Sequence, residues 1–94
     1  MFVVYAIESS STGRVYIGQT NDIEKRLRFH NSGYVKSTSK DIPWYMIAME
    51  SFSTRDQARW CEKQLKNSKG ARVKWLKQYC FIAQLPARRG ETPV

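Results

Sequence analysis

The chain opens with two apolar runs, Phe2 to Ile7 and the shorter Arg14 to Ile17, both rich in β-branched and aromatic residues. Ser9-Ser10-Ser11-Thr12-Gly13 separates them with turn formers. The pattern predicts an antiparallel hairpin whose loop is longer than the tight two-residue kind. From Asn21 onward the spacing changes to that of a helix. Asn21 can cap it, with Glu24 three residues on, and Ile23 and Leu27 mark the buried stripe. Gly33 is the natural stop. Tyr34 to Asp41 is polar and predicts a mobile loop on the substrate side. Trp44 to Phe52, entered through Pro43, is the third strand candidate. Ser53 or Thr54 then caps a second helix to about Lys66, with Thr54 and Gln57 at capping-box spacing. Ala58, Cys61 and Leu65 form its buried face. Lys69-Gly70 ends that helix, and Val73, Leu76 and Tyr79 define a third.

The order strand, strand, helix, strand, helix, helix predicts an α+β domain, a three-stranded antiparallel sheet flanked by helices. Its 94 residues suffice for one core and not two. The expected organisation is one domain over residues 1–82 and a flexible C-terminal tail over 83–94, because the sequence from Pro86 onward has no apolar periodicity.

Charge changes the picture more than length does. Sixteen lysines and arginines against eight acids give a formal charge of +8. Such a balance favours polyanionic partners, nucleic acid first. Cys61 and Cys80 are too few and too far apart for a metal knuckle or a disulfide scaffold, which fits a reducing cytoplasm. No run approaches the roughly 20 apolar residues of a membrane helix, so no membrane partner is expected. Lys63, Lys66, Lys69, Arg72, Lys74 and Lys77 interleave with Trp60 and Trp75. With Lys36 and Lys40 in the polar loop, Lys66, Lys69, Arg72 and Lys74 are the candidate DNA-phosphate contacts.

Candidate chemistry rests on five residues. Tyr5 and Tyr16 sit on paired strands. A phenol starts with a pKa near 10, so a base of this type needs a neighbouring cation or metal to lower it. Arg26 and His30 are one turn apart and project from one side of the first helix. A planar, permanent cation suits the charge that builds around phosphorus in phosphodiester hydrolysis. Glu62 lies beside the buried stripe of the second helix, where it can pair with Lys66 or bind a metal. The other acids are scattered over loops and outer faces, so one ion is expected and not two.

Val3-Val4-Tyr5, then Tyr16-Ile17-Gly18, then Gln19-Thr20-Asn21-Asp22 into Arg26, His30-Asn31-Ser32-Gly33, Pro43-Trp44 and Glu62-Lys63-Gln64-Leu65-Lys66 follow one another at a specific spacing. In this order they resemble the GIY-YIG nuclease family over roughly Phe2 to Tyr79. The likeness is to short single-domain members, to the N-terminal nuclease domain of the excinucleases and to the homing endonucleases. It implies the same three-stranded fold and a metal-dependent DNA endonuclease. Tyr5 and Tyr16 would be the motif tyrosines, one of them the general base. Arg26 would stabilise the transition state, His30 orient groups or relay protons, and Glu62 hold one divalent ion, Mg2+ or Mn2+. DNA repair or recombination would be its setting, with branched, flapped or damaged DNA as substrate. Val3 stands where the first half-motif has glycine, and Lys36, Ser39 or Lys40 would fill the place of a further polar residue. Two alternatives accompany this reading: a nucleic-acid-binding module without turnover, and a catalytic subunit that needs a partner protein.

Overall fold

The computed structural model describes residues 1–79; Cys80 and the expected tail lie outside the described residues. The elements are β1 (Phe2–Ser9), β2 (Val15–Thr20), α1 (Ile23–Asn31), a single 3-10 turn (Ser39–Asp41), β3 (Trp44–Phe52), α2 (Arg55–Asn67) and α3 (Lys69–Tyr79). They build the expected α+β fold, an antiparallel sheet in the order β2-β1-β3. No described helix is long and apolar enough to cross a membrane.

The central strand has two inner faces. Val4 and Ala6 point into a core shared with Ile17, Ala58, Leu65 and Trp75, beneath α2 and α3. Val3, Tyr5 and Ile7 point the other way, into a cluster with Trp44 that Tyr16, Ile23 and Leu27 cover. Such two-sided burial explains why Phe2 to Ile7 reads as a continuous apolar run and not as a strict alternation. A bulge in the β1–β3 pairing, between Ala6/Ala48 and Ile7/Met46, leaves Ile47 as the extra residue. As a result Ile47 and Ala48 both enter the α2/α3 core, while Met46 and Met49 pack on the opposite face.

Several local expectations need correcting. Asp22, not Asn21, caps α1, its carboxylate accepting from the Lys25 amide at 3.1 Å. Thr54 caps α2 as expected, accepting from the Gln57 amide at 3.2 Å. The break after α2 falls at Ser68, whose hydroxyl caps the Ala71 amide at 3.1 Å, and Gly70 belongs to the first turn of α3. Val73 is exposed, and Trp75 is the buried residue of α3. Its indole N–H donates to Glu50 at 2.8 Å, so Trp75 is a core residue and not part of a DNA-facing surface. Glu50, expected on an outer face, also accepts from the Tyr79 hydroxyl at 3.0 Å.

The segment expected as a mobile loop is pinned instead. Arg14 donates to the Ser37 carbonyl at 2.8 Å and pairs with Asp41 at 2.7 Å. The Trp44 indole donates to the Thr38 carbonyl at 2.9 Å, and Thr38 is fully buried. Asn31 both donates to the Trp44 carbonyl and accepts from its amide, at 3.1 and 2.6 Å, joining the end of α1 to the start of β3. These contacts hold the floor beneath the tyrosines.

Candidate active site

Strand pairing places Tyr5 opposite Gly18 and Ile7 opposite Tyr16, so the two tyrosines share one face of the hairpin. Their ring centroids lie 6.4 Å apart. His30 enters from α1 and meets both, with its ring 4.9 Å from that of Tyr16 and 5.9 Å from that of Tyr5. Tyr16 also meets the edge of Trp44. Gly18 is what admits this cluster: a Cβ there would lie 2.5 Å from the Tyr5 hydroxyl and 2.7 Å from its Cζ. A glycine within a strand commonly marks such a close approach.

The hydrogen bonds fix the protons. The Thr38 hydroxyl donates its single proton to the Val35 carbonyl at 3.2 Å, so it accepts from His30 Nδ1–H at 3.0 Å. His30 Nε2 is then an acceptor, and the Tyr5 hydroxyl donates to it at 2.8 Å. Both groups are fully buried. Burial pushes the Tyr5 phenol up to about 12, outweighing the Arg26 guanidinium beside it, which pulls the other way. The expected cation is present but does not win, because β1 is the central strand and its hydroxyl has no access to water. Tyr5 is therefore a neutral donor that orients His30. Tyr16, on the edge strand, is only half-buried.

Burial also holds His30 neutral, with Arg26 adding in the same direction. An unfolded histidine takes up a proton near pH 6.5, whereas the folded one resists. The stability contributed by neutral His30 is thus complete above about pH 6.5 and is lost as pH falls below it. His30→Gln should flatten the dependence of urea-unfolding free energy on pH between about 6.5 and 5. Parallel slopes in the two proteins would refute this reading of His30.

Arg26 is half-buried, and its Nε is buried with no hydrogen-bond partner. A buried guanidinium N–H without an acceptor is costly and rare, and an anion would satisfy it. Arg26 lines two adjoining clefts. One, of about 260 Å3, includes Asn21, Lys25 and Phe29. The other, of about 300 Å3, includes Gln19, Arg55 and Arg59. Glu62 reaches the same region from α2, close enough for its charge to act on Tyr5. Its carboxylate pairs with Lys66 at 2.8 Å and is 19% exposed. The Lys66 ammonium lies 5.8 Å from the Tyr16 ring centre.

Among the described residues no three His, Cys, Asp or Glu side chains converge, so an all-protein metal cage is not formed. A single reachable carboxylate fits magnesium-type binding, in which water and substrate phosphate supply most ligands. Lys66 pairs with one carboxylate oxygen, Oε2, at that same group.

All five anticipated residues thus gather at one place. The DNA contacts divide. Lys66 and Arg72 line a cleft of about 400 Å3 with Tyr16, although Arg72 also donates to the Leu65 carbonyl at 2.9 Å. Lys74 lies with Val73 and Lys77 along α3, away from the tyrosines. Lys36 and Lys40 are exposed on the pinned segment, and Lys69 is exposed at the start of α3. Gly18 was named within the Tyr16-Ile17-Gly18 string but given no role; Thr38, Arg55 and Arg59 were not anticipated and had no local signal.

Comparison with known proteins bears on the family and the fold. The family model described as the GIY-YIG catalytic domain matches residues 1–77. A UPF0213 protein of Streptococcus agalactiae is 31% identical over 78 residues, spanning 81% of this chain and 88% of the relative. Another, from Haloquadratum walsbyi, is 37% identical over 65 residues, spanning 68% of this chain and 72% of the relative. The solution structure of a UPF0213 protein from Bacillus halodurans superposes with a TM-score of 0.53 at 27% identity, over 83% of this chain and 85% of that one. The chain is a member of the GIY-YIG catalytic domain family, in its short UPF0213 branch.

Proposed function

We propose that the protein is a metal-dependent DNA endonuclease, and that Arg26 marks where the scissile phosphate binds. The observation that carries this is the buried, unpartnered Nε of Arg26, set beside two tyrosines, His30 and a reachable carboxylate.

The reaction is in-line attack of water on a DNA phosphodiester: one new P–O bond forms and one ester P–O bond breaks. Tyr16, half-exposed on the edge strand, first gives its phenolic proton to solvent and as the phenolate receives the proton of the attacking water, while buried Tyr5 holds His30 in its acceptor tautomer. Arg26 donates to the non-bridging oxygens as charge builds on them. Glu62 would hold a divalent ion, Mg2+ or Mn2+, which when bound stabilises the departing oxygen. Lys66, which lies beside Tyr16, would contact the DNA backbone there.

The clefts are rich in cations, which contact backbone phosphates whatever the base sequence. Preference for DNA shape over base sequence is therefore expected, which suits branched, flapped or damaged DNA and a part in repair or recombination. The rival reading, a binding module without turnover, draws on the Glu62–Lys66 pair, which is a satisfied salt bridge without any metal.

The roles separate by mutation. Tyr16→Phe should slow cleavage by about 10²-fold, and Tyr5→Phe by clearly less, because general-base catalysis contributes about 10²–10⁴ and Tyr5 acts through His30. Single-turnover cleavage rates check this; an equally active Tyr16→Phe would remove Tyr16 from the chemistry. Glu62→Gln should abolish the gain from added magnesium, and unchanged metal dependence would sink the carboxylate's assignment.

A further inference from the structure

We infer that Arg55 and Arg59, next to Arg26, form a subsite for the backbone phosphate of the DNA strand adjacent to the one that is cut. The inference rests on the nuclease reading only for which phosphate is the neighbour. Arg55, Arg59, Glu62 and Lys66 follow one another at spacings of four, three and four residues along α2. That spacing puts them in a single stripe, and the clefts show which way it faces. Arg55 and Arg59 share the 300 Å3 cleft with Gln19, Asn21 and Arg26 at one end of β2. Lys66 shares the other cleft with Tyr16 at the opposite end of the strand. Glu62 lies between. At 1.5 Å of rise per residue, Arg59 sits about 4.5 Å along the helix from Glu62.

Three features make this a site and not stray charge. Among the described residues no carboxylate forms an ion pair with Arg55 or Arg59, both of which are exposed. The Arg55 guanidinium rests 5.5 Å from the centre of the Phe2 ring, which holds it over the cleft mouth. Arg26, which takes the scissile phosphate, lines the same cleft, so Arg55 and Arg59 adjoin the reacting position. Planar guanidiniums that converge with amide side chains match the geometry of a phosphodiester better than that of any cation or apolar ligand. The strand would run along the β2 edge, from Lys66 past Tyr16 and Arg26 to Arg55 and Arg59.

Binding of a short duplex, measured across a salt series in EDTA so that nothing is cut, tests the subsite apart from the chemistry. Arg55→Gln/Arg59→Gln should weaken binding on the order of tenfold, the scale of losing charge-assisted hydrogen bonds. It should also lower the slope of log K against log salt by about 0.9, the amount for one phosphate contact. Arg28→Gln, an exposed charge about 200° around α1 from Arg26 by helix geometry, should leave that slope unchanged. An unaltered slope in the double variant, or an equal fall in Arg28→Gln, overturns the subsite. Inorganic phosphate at matched ionic strength should displace DNA no better than chloride does. Displacement from wild type but not from the double variant would make the cleft a free-anion site and overturn the backbone assignment. Failure of wild type to cleave would count against the nuclease reading alone, since the binding result stands without it.

Discussion

Gly18→Ala should be among the most damaging single-methyl changes in this chain. The new Cβ would meet the Tyr5 hydroxyl at 2.5 Å, its Cζ at 2.7 Å and Tyr16 Cε1 at 3.1 Å. None of these atoms is the free end of a flexible chain. Tyr5 is fully buried on the central strand and tied through its hydroxyl to His30, which is itself tied to Thr38. Relief must come from moving a strand or rotating a locked ring. Overpacking of this kind costs about 1–3 kcal/mol. For a domain of this size each kcal/mol lowers Tm by about 4–8 °C, so a loss on the order of 10 °C is expected. Tyr5→Leu in the same chain withdraws both nearest atoms and should recover part of the loss, a coupling that a double-mutant cycle measures. A Gly18→Ala protein with unchanged Tm would mean that Tyr5 does not lie over Gly18.

Arg26→Ala should separate function from stability more sharply than any other change. Its buried Nε has no partner in the folded protein, so removal takes away a desolvation cost and, against it, the contact of the guanidinium with the Tyr5 hydroxyl. Stability should therefore change little. Cleavage should fall by about 10²–10³, the usual loss when one donor to the developing charge is removed. Arg26→Lys should not restore it, because an ammonium cannot present two parallel N–H groups to a phosphate. The change also has a readout independent of turnover. Arg26 helps to hold the His30 pKa down, so in Arg26→Ala that pKa should move up, seen by NMR titration of the imidazole. A variant that keeps full activity, or an unmoved His30, would place Arg26 elsewhere.

What the sequence discloses here follows the range of the interactions involved. The strands, the Thr54 cap and the Ala58/Leu65 stripe depend on nearest neighbours and are legible from spacing alone. The start of α1 is off by one residue because Asn21 and Asp22 are both good caps, and the Thr20 hydroxyl, bonded to the Asp22 amide at 3.1 Å, decides between them. On the third helix Leu76 and Tyr79 pack against the core as expected, and only Val73 is misplaced, for a longer-range reason. Trp75 finds Glu50 on β3, 25 positions away, and that partner offsets the cost of burying the indole while Val73 is left in water.

At the site, the identities of Tyr5, Tyr16, Arg26, His30 and Glu62 could be named from order and spacing, but their states could not. Whether a neighbouring arginine lowers a tyrosine or burial raises it depends on which strand is central, which only the assembled sheet decides. The pinning of the 34–41 segment by Arg14 spans 23 positions to Ser37 and had no local signal, while Trp44 reaches back only six positions to Thr38. Arg55 and Arg59 become interpretable only once α2 is seen against the β2 edge.

The central claim is that this cluster hydrolyses DNA phosphodiesters around Arg26. Its most direct test is cleavage of labelled duplex, single-stranded, flap and four-way-junction DNA by the wild type with magnesium or manganese, beside Arg26→Ala and a metal-free control. The account predicts cutting that needs both the metal and Arg26, with a preference among the shapes. Salt-sensitive binding without cutting of any of these DNAs would contradict it.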